Sequence, residues 1–195
     1  LLPEDEFGRI MKVLNKYIKT NSIAEFTYEM NTCNINKDLL RALKNWNVDR
    51  ISLGAQSFAN EELTLLGRIH SPRQIYEAVQ TIREHNFANI SLDLIFGIPG
   101  QDLHSWQNNL KQAKQLEVKH FSLYNLTYET GTPLTNMLQE GQIDSADENL
   151  EWQMYNWAHS FLQEQGYKHY EISNWAKPDY QAIHNQIYWQ GGDYL

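Results

Sequence analysis

Apolar positions along this chain recur at two spacings, about every 3.6 residues and every second residue, and the switches between them outline its elements. From Pro3 to Lys19 the residues Phe7, Ile10, Met11, Leu14 and Ile18 lie at helical spacing. This predicts a helix with proline and acids in its first turn, in the order Leu2-Pro3-Glu4-Asp5-Glu6. Ala24 to Glu29 alternates, Phe26 and Tyr28 against Glu25 and Thr27, and reads as a strand. Asn36 stands where a helix cap belongs, ahead of the stripe Leu39, Leu40, Leu43 and Trp46. Arg50 to Gly54 is the next strand, followed by a short helix near Asn60–Leu66 and a longer one from Pro72 to His85. Ile90 to Phe96 is a β-rich run ended by the turn signal Gly97-Ile98-Pro99-Gly100. Asp102 to Leu116 is predicted helical, His120 to Tyr124 a strand, Ala146 to Gln165 a long helix closed by Gly166, and Lys168 to Ile172 a last strand.

Strands separated by helices of this length imply βαβ crossovers and a parallel sheet, hence an α/β fold. A doubly wound sheet and an open or closed barrel satisfy the pattern equally. The dinucleotide version would favour Gly-x-Gly-x-x-Gly after the first strand, and that motif is absent. Gly141–Asp147 and the residues beyond Lys168 are less regular and read as an edge or cap.

Composition narrows the function classes. A net charge of −8 argues against a nucleic-acid partner, which would need a basic surface. No apolar run is long enough to span a bilayer, and no signal-peptide pattern opens the chain. Cys33 is the single cysteine, so there is no internal disulfide and a reducing, cytoplasmic setting is expected. The start at Leu1 without Met and the glycine-rich, apolar finish from Gly191 to Leu195 are expected to be cuts in a longer chain.

Parallel α/β folds hold ligands beyond the carboxyl ends of their strands. Those ends carry Glu29 and Asn31, then Gln56, then Asp93, then Asn125, Thr127 and Glu129. Asp93 stands out, because a carboxylate in an apolar parallel strand costs several kcal/mol unless a partner or ligand meets it. Taken singly, each group reads equally well as a helix cap or an acceptor for loop amides. Four of them in register favour a shared ligand. Arg68 could pair with Asp93 or grip a ligand carboxylate through its two-pronged guanidinium, or stand as a solvated charge at a helix end. His184-Asn185-Gln186-Ile187-Tyr188-Trp189 sets a histidine among aromatics. Haem iron takes such a ligand, but on the residues alone a packed structural histidine is the better reading. Neither a Ser/His/Asp set nor a phosphate loop is present, and one cysteine cannot hold a cluster.

A resemblance carries the reading further. Glu29-Met30-Asn31, Ser52-Leu53-Gly54-Ala55-Gln56-Ser57-Phe58, Leu66-Gly67-Arg68-Ile69-His70 and Leu92-Asp93-Leu94-Ile95-Phe96-Gly97-Ile98-Pro99-Gly100-Gln101 closely resemble segments of one radical S-adenosylmethionine (radical SAM) family. It includes the oxygen-independent coproporphyrinogen III oxidase HemN and the haem chaperone HemW. Ser122-Leu123-Tyr124-Asn125-Leu126-Thr127, Gly131-Thr132-Pro133, Gly166-Tyr167, Tyr170-Glu171-Ile172-Ser173-Asn174-Trp175-Ala176 and Gly192-Asp193-Tyr194-Leu195 extend it over essentially the whole chain. Each motif is modest, and the ordered set is specific.

The resemblance implies a partial TIM-like (β/α)6 radical SAM barrel, of which this chain supplies the third strand onward. Residues 1–166 would form that barrel portion, and 167–195 an edge strand and the start of a less regular C-terminal extension. Matched position by position, Glu29, Gln56, Arg68, Asp93 and Thr127 fall where the family contacts SAM. Three cysteines upstream would hold a 4Fe-4S cluster whose open iron takes the methionine amine and carboxylate, and electron transfer would cleave the sulfonium to a 5′-deoxyadenosyl radical. Cys33 is not one of those cysteines, so this stretch by itself should be inactive. His184, Asn185, Tyr188 and Trp189 match the H-N-x-x-Y-W motif of the HemW branch, implicated there in haem binding, which turns the reading of His184 toward a haem contact.

Two function classes follow, against a third reading in which the chain is an unrelated parallel α/β domain whose polar strand ends are structural. One is a binding protein that holds haem, or another porphyrin, and passes it to an acceptor the sequence does not identify. Any peripheral membrane contact would then come through that acceptor. The other is an enzyme that oxidatively decarboxylates two propionates of coproporphyrinogen III. The first is preferred.

Overall fold

The structure, a computed structural model, describes residues 4–19 and 22–192. The predicted first-turn proline Pro3 and the closing Asp193-Tyr194-Leu195 lie outside the described residues. Helix α1 spans Glu4–Leu14 and stops short of the predicted Lys19. Of its apolar stripe only Phe7 and Met11 are buried, while Ile10, Leu14 and Ile18 are exposed. Without burial nothing holds the next turn helical. Strand β1 (Thr27–Asn31) lies further along than its alternation indicated. Its limits are set by the partner ladder, which runs from Thr27 opposite Arg50 to Asn31 opposite Gly54.

A short 3-10 turn over Thr32–Asn34 leads to α2 (Lys37–Asn45), capped as expected by Asn36, whose side chain accepts from Leu39 N. Then come β2 (Arg50–Gln56), α3 (Asn60–Leu65), α4 (Pro72–Glu84), β3 (Asn89–Phe96), α5 (Leu103–Gln115) and β4 (His120–Asn125). The starts of α4 and α5 are closed by a Ser71/Gln74 capping box and by Asp102 accepting from Ser105 N. The connection after β4 contains α6 (Pro133–Gln139), which has no strong apolar period, and α7 (Glu148–Glu164). Strand β5 (Lys168–Glu171), β6 (Asn174–Ala176) and α8 (Ile183–Trp189) complete the order.

β1 to β4 are parallel neighbours in chain order. The expectation of a parallel sheet fails at its end. β6 lies antiparallel between β4 and β5, giving the order β1-β2-β3-β4-β6-β5. After α7 the chain returns in the parallel direction one lane out, and a tight turn at Ile172-Ser173 folds the three residues of β6 back into the gap. Three residues are too short for alternation to announce.

One face of the sheet carries Tyr28, Ile51, Leu53, Ile90, Leu92, Leu94, Phe121, Leu123 and Trp175, which pack with the helices into a single apolar core. Trp106 of α5 donates its indole N–H to Met154 O of α7 at 3.0 Å, fixing those helices against β3 and β4. The other face is polar. Across it run three rows: Thr27, Arg50 and Asn89; then Glu29, Ser52, Ser91 and His120; then Asn31, Gly54, Asp93, Ser122 and Asn174. A flat sheet of six strands would hold its edges about 24 Å apart. Here adjacent amides at the start of α8 reach both sides, Ile183 N donating to Glu25 before β1 and Ala182 N to Tyr170 of β5. The sheet is therefore curled around its polar face.

Candidate functional site

The carboxyl ends of the four parallel strands open onto that polar concavity. Asp93 is the central group. Its strand does not form the apolar run the sequence reading assigned it: Asn89, Ser91 and Asp93 line one face while Ile90, Leu92 and Leu94 line the other. Ser52 Oγ donates to both carboxylate oxygens at 3.0 and 3.1 Å, and Ser91 Oγ reaches Oδ1 at 3.5 Å. Burial raises the Asp93 pKa from 3.8 to about 6; hydrogen bonds from Ser122 and Ser52 and the charge of Arg50 pull it down, while Glu29 pushes it up. Its neighbouring cation is thus Arg50 of β2 and not Arg68, which corrects the proposed Arg68–Asp93 pair. Arg50 is almost fully buried, donates to Thr27 Oγ1 at 3.3 Å, and has an Nε without a partner among the described residues.

Glu29 lies in the same face as Asp93 and is exposed at the mouth. Gln56 closes β2 with a left-handed backbone, φ 66°, beside a bulge between Gly54 and Gln56. A Cβ on Gly54 would stand 2.8 Å from Gln56 Nε2 and 3.4 Å from Asn31 Oδ1. The amide therefore folds back over the glycine, on the side of Ser52 and Asp93. Tyr124 stands on this face beyond Ser122. Burial raises its pKa, as do the charges of Asp93, Glu29 and Glu171, while a hydrogen bond with Ser122 lowers it.

The remaining expected rim residues are less closely drawn in. Arg68 is not on a helix but in the loop between α3 and α4, half-buried, with its Nε lacking a partner among the described residues. Its charge acts on His70, which contacts Ala55 O at 3.1 Å one residue before Gln56. Arg68 thus stands beside the end of β2. Thr127 is exposed in the loop after β4, where Leu126 N donates to Phe96 O at 2.9 Å.

Beneath the rim, Glu62 of α3 is a buried acceptor that the sequence reading passed over. Ser57 Oγ, Asn109 Nδ2 and Gln101 Nε2 donate to its Oε2 at 2.5, 2.7 and 3.0 Å, and Ser105 Oγ to its Oε1 at 2.6 Å. Gln101 in turn accepts from Gly97 N at 3.0 Å, so one carboxylate braces the ends of β2 and β3.

His184 is exposed at the start of α8 and has no partner among the described residues. It is not the packed histidine that its aromatic company indicated. Asn185 donates to Tyr170 OH at 3.4 Å, and Trp189 donates its indole N–H to Glu171 Oε2 at 3.0 Å, while Tyr188 and Trp189 meet edge to face at 5.4 Å. Also missed were Ser52, Ser91, Ser122, His120, Tyr170 and Glu171. A signal for most of them was present: Thr27-x-Glu29-x-Asn31, Arg50-x-Ser52, Asn89-x-Ser91-x-Asp93 and His120-x-Ser122-x-Tyr124 all repeat polar residues at the strand period. Cys33 is exposed, and no group of three metal-binding side chains occurs among the described residues. These residues do not fit a cluster.

The chain is similar to known proteins along its whole length. The heme chaperone HemW of Bacillus subtilis is 34% identical over 195 residues, covering 100% of this chain and 52% of that protein. HemW of Escherichia coli is 36% identical over 172 residues, covering 88% and 44%. The chain spans about half the length of the curated relatives it matches. Among solved structures, coproporphyrinogen III oxidase (HemN) from Escherichia coli superimposes with a TM-score of 0.79 at 24% identity over 97% of this chain and 43% of that one. That likeness is one of fold: a mostly parallel, curled sheet consistent with a partial TIM-like barrel. The Radical SAM superfamily model matches residues 2–113, which are β1 to β3, their helices, and the positions of Glu29, Gln56, Arg68 and Asp93. With more than half its length in that model, the chain belongs to the radical SAM superfamily.

Proposed function

We propose that this protein handles haem as a HemW-type chaperone, binding it and passing it to an acceptor, with SAM held at the rim around Asp93. The observation that carries the haem reading is the placement of His184. Asn185 and Trp189 tie its helix to β5, and the imidazole of His184, one residue ahead of the first tie, is left exposed and unengaged. Ile187, Tyr188 and Trp189 are exposed on the same short helix and offer apolar area to a porphyrin face. HemW relatives matched over the whole chain support this choice over a coproporphyrinogen oxidase.

Family membership implies SAM and a 4Fe-4S cluster, which together supply radical chemistry when bound. The rim residues fit SAM. Glu29 and Asp93 offer carboxylates to a sulfonium and to ribose hydroxyls, Gln56 an amide, and Thr127 a hydroxyl. Arg68, its Nε still unpaired, offers a cation to a ligand carboxylate. No helix among the described residues is long and apolar enough to cross a membrane. We place the protein in the cytoplasm, with any membrane contact made through the haem acceptor.

The test is a hemin titration of the natural-length protein, followed at the Soret band, for wild type and His184→Ala. Saturable binding weakened tenfold or more by the substitution is the expected result, a loss of about 1.4 kcal/mol. An unaltered titration, or turnover of coproporphyrinogen III under anaerobic reducing conditions, would refute the chaperone reading.

A further inference from the structure

A hydrogen-bonded chain runs across the polar face and joins the Asp93 region to the start of α8. Its middle member, His120 of β4, is fully buried. Its Nδ1 stands 2.7 Å from Ser91 Oγ and its Nε2 2.7 Å from Tyr170 OH. Ser91 lies next to Ser122 at 3.4 Å and Asp93 Oδ1 at 3.5 Å. At the other end, Tyr170 OH receives Ala182 N at 3.2 Å and Asn185 Nδ2 at 3.4 Å.

Counting donors sets the direction of this chain. The Ala182 amide can only donate, and the Asn185 NH2 donates as well, so both accepting positions of the phenol oxygen are taken. Its own proton then has one destination, His120 Nε2. That nitrogen must be bare, which puts the imidazole proton on Nδ1 and directs it to Ser91 Oγ. With the Asn185 amide donating, the opposite tautomer would leave the half-buried phenol's proton without a protein acceptor and set two N–H groups and an imidazole N–H against one oxygen. Burial, with the Arg50 charge nearby, lowers the His120 pKa well below its ordinary value and keeps the ring neutral, as the count requires.

We propose that Tyr170, oriented by neutral His120, is the positioning residue of the His184 helix, anchoring the first turn of α8 to the sheet so that the His184 imidazole is presented at a fixed place for the haem iron. The proposal rests on the haem reading above. α8 has seven residues and no side-chain cap, so its own hydrogen bonds do little to fix it. Its two leading amides are satisfied from outside, by Tyr170 and by Glu25 Oε2 at 3.0 Å. Only Tyr170 also reaches a side chain of the helix itself, Asn185, one residue beyond His184.

Tyr170→Phe in the natural-length protein is the test. It keeps the ring against His120, where the centroids are 5.7 Å apart, and removes one oxygen. Hemin affinity should fall at least fivefold and the Soret maximum should move, with the thermal unfolding midpoint showing that the fold persists. Asn185→Ala provides the same reading should Tyr170→Phe fail to fold, since it leaves the His120–Tyr170 bond in place. In wild type, 15N-edited NMR of His120 should show a neutral ring protonated on Nδ1. If His184→Ala weakens hemin binding while Tyr170→Phe and Asn185→Ala titrate like wild type with unchanged spectra, the positioning role is overturned and the haem reading stands. A His120 ring protonated on Nε2 at neutral pH would also overturn it. If His184→Ala binds hemin like wild type, the haem reading falls and takes this proposal with it.

Discussion

Replacing Asp93 by Asn tests the physical account of the rim most directly, because the account predicts a gain in stability together with a loss of binding. In the folded protein Asp93 titrates at about 6 against an ordinary value of 3.8, raised chiefly by burial. The folded state thus holds its proton more tightly than the unfolded chain does. For an acid shifted in this direction, stability is highest below the unfolded pKa and is lost as pH rises through the folded one. Between pH 4 and pH 6 the unfolded chain releases this proton first, and above pH 6 the folded protein carries the full penalty. A shift of this size corresponds to about 3 kcal/mol. Asn mimics the protonated acid and can still accept from Ser52 and Ser122. Thermal unfolding of the two proteins should therefore nearly coincide near pH 4 and diverge as pH rises. At pH 8 Asp93→Asn should melt about 6–12 °C higher, given 2–4 °C per kcal/mol for a domain of this size. The same variant should bind SAM more weakly, since it lacks the charge that would face the sulfonium. A midpoint difference that does not change with pH, or a variant less stable than wild type at pH 8, would refute the reasoning.

Two further substitutions probe how the rim is built. Glu62→Ala strips the acceptor from Ser57, Asn109, Gln101 and Ser105 at once and leaves buried donors unsatisfied. It should cost about 3 kcal/mol or more in denaturant unfolding, and a loss under 1 kcal/mol would show that water replaces the carboxylate at little cost. Gly97→Ala puts a methyl at φ +74°, 2.6 Å from Asn125 Oδ1 and 3.2 Å from Glu151 Oε1, whose partner oxygen accepts from Asn125 at 2.9 Å. It should destabilise by about 1–3 kcal/mol and weaken SAM binding by displacing the loop that carries Thr127, readings available from the same melts and a calorimetric titration.

Local information was enough for the order of elements from α1 to β4 and for α7 and β5, though not for the short α6, β6 and α8, and the reason is physical. A helix is stabilised by neighbours three and four residues away and is bounded by caps such as Asn36 and Asp102, so its period and its ends are written in adjacent residues. The parallel strands were also legible, since each joins the next through a helix. So were the rim positions Glu29 and Gln56, which follow from where strands stop, and Asp93, a carboxylate set inside a strand. Three things were decided only in three dimensions. The first is where α1 ends, because Ile10, Leu14 and Ile18 are apolar by nature but stay exposed among the described residues. The second is β6, whose three residues form a strand only because β4 and β5 leave a lane between them. The third is the polar concavity. In most parallel sheets both faces are buried and the strands read as continuous apolar runs. Here Asn89, Ser91 and Asp93 alternate with Ile90, Leu92 and Leu94, as Glu29 does with Met30 and His120 with Phe121. Each strand taken alone looks like a half-exposed one. Only the register, which sets Ser91 beside His120 and Asp93 beside Ser122, together with the curl that brings Tyr170 and Glu25 to one helix, turns four alternations into a shared interior. Such pairings join residues from 12 to 158 positions apart, and their strength depends on burial and distance, quantities that no stretch of chain possesses until it is folded.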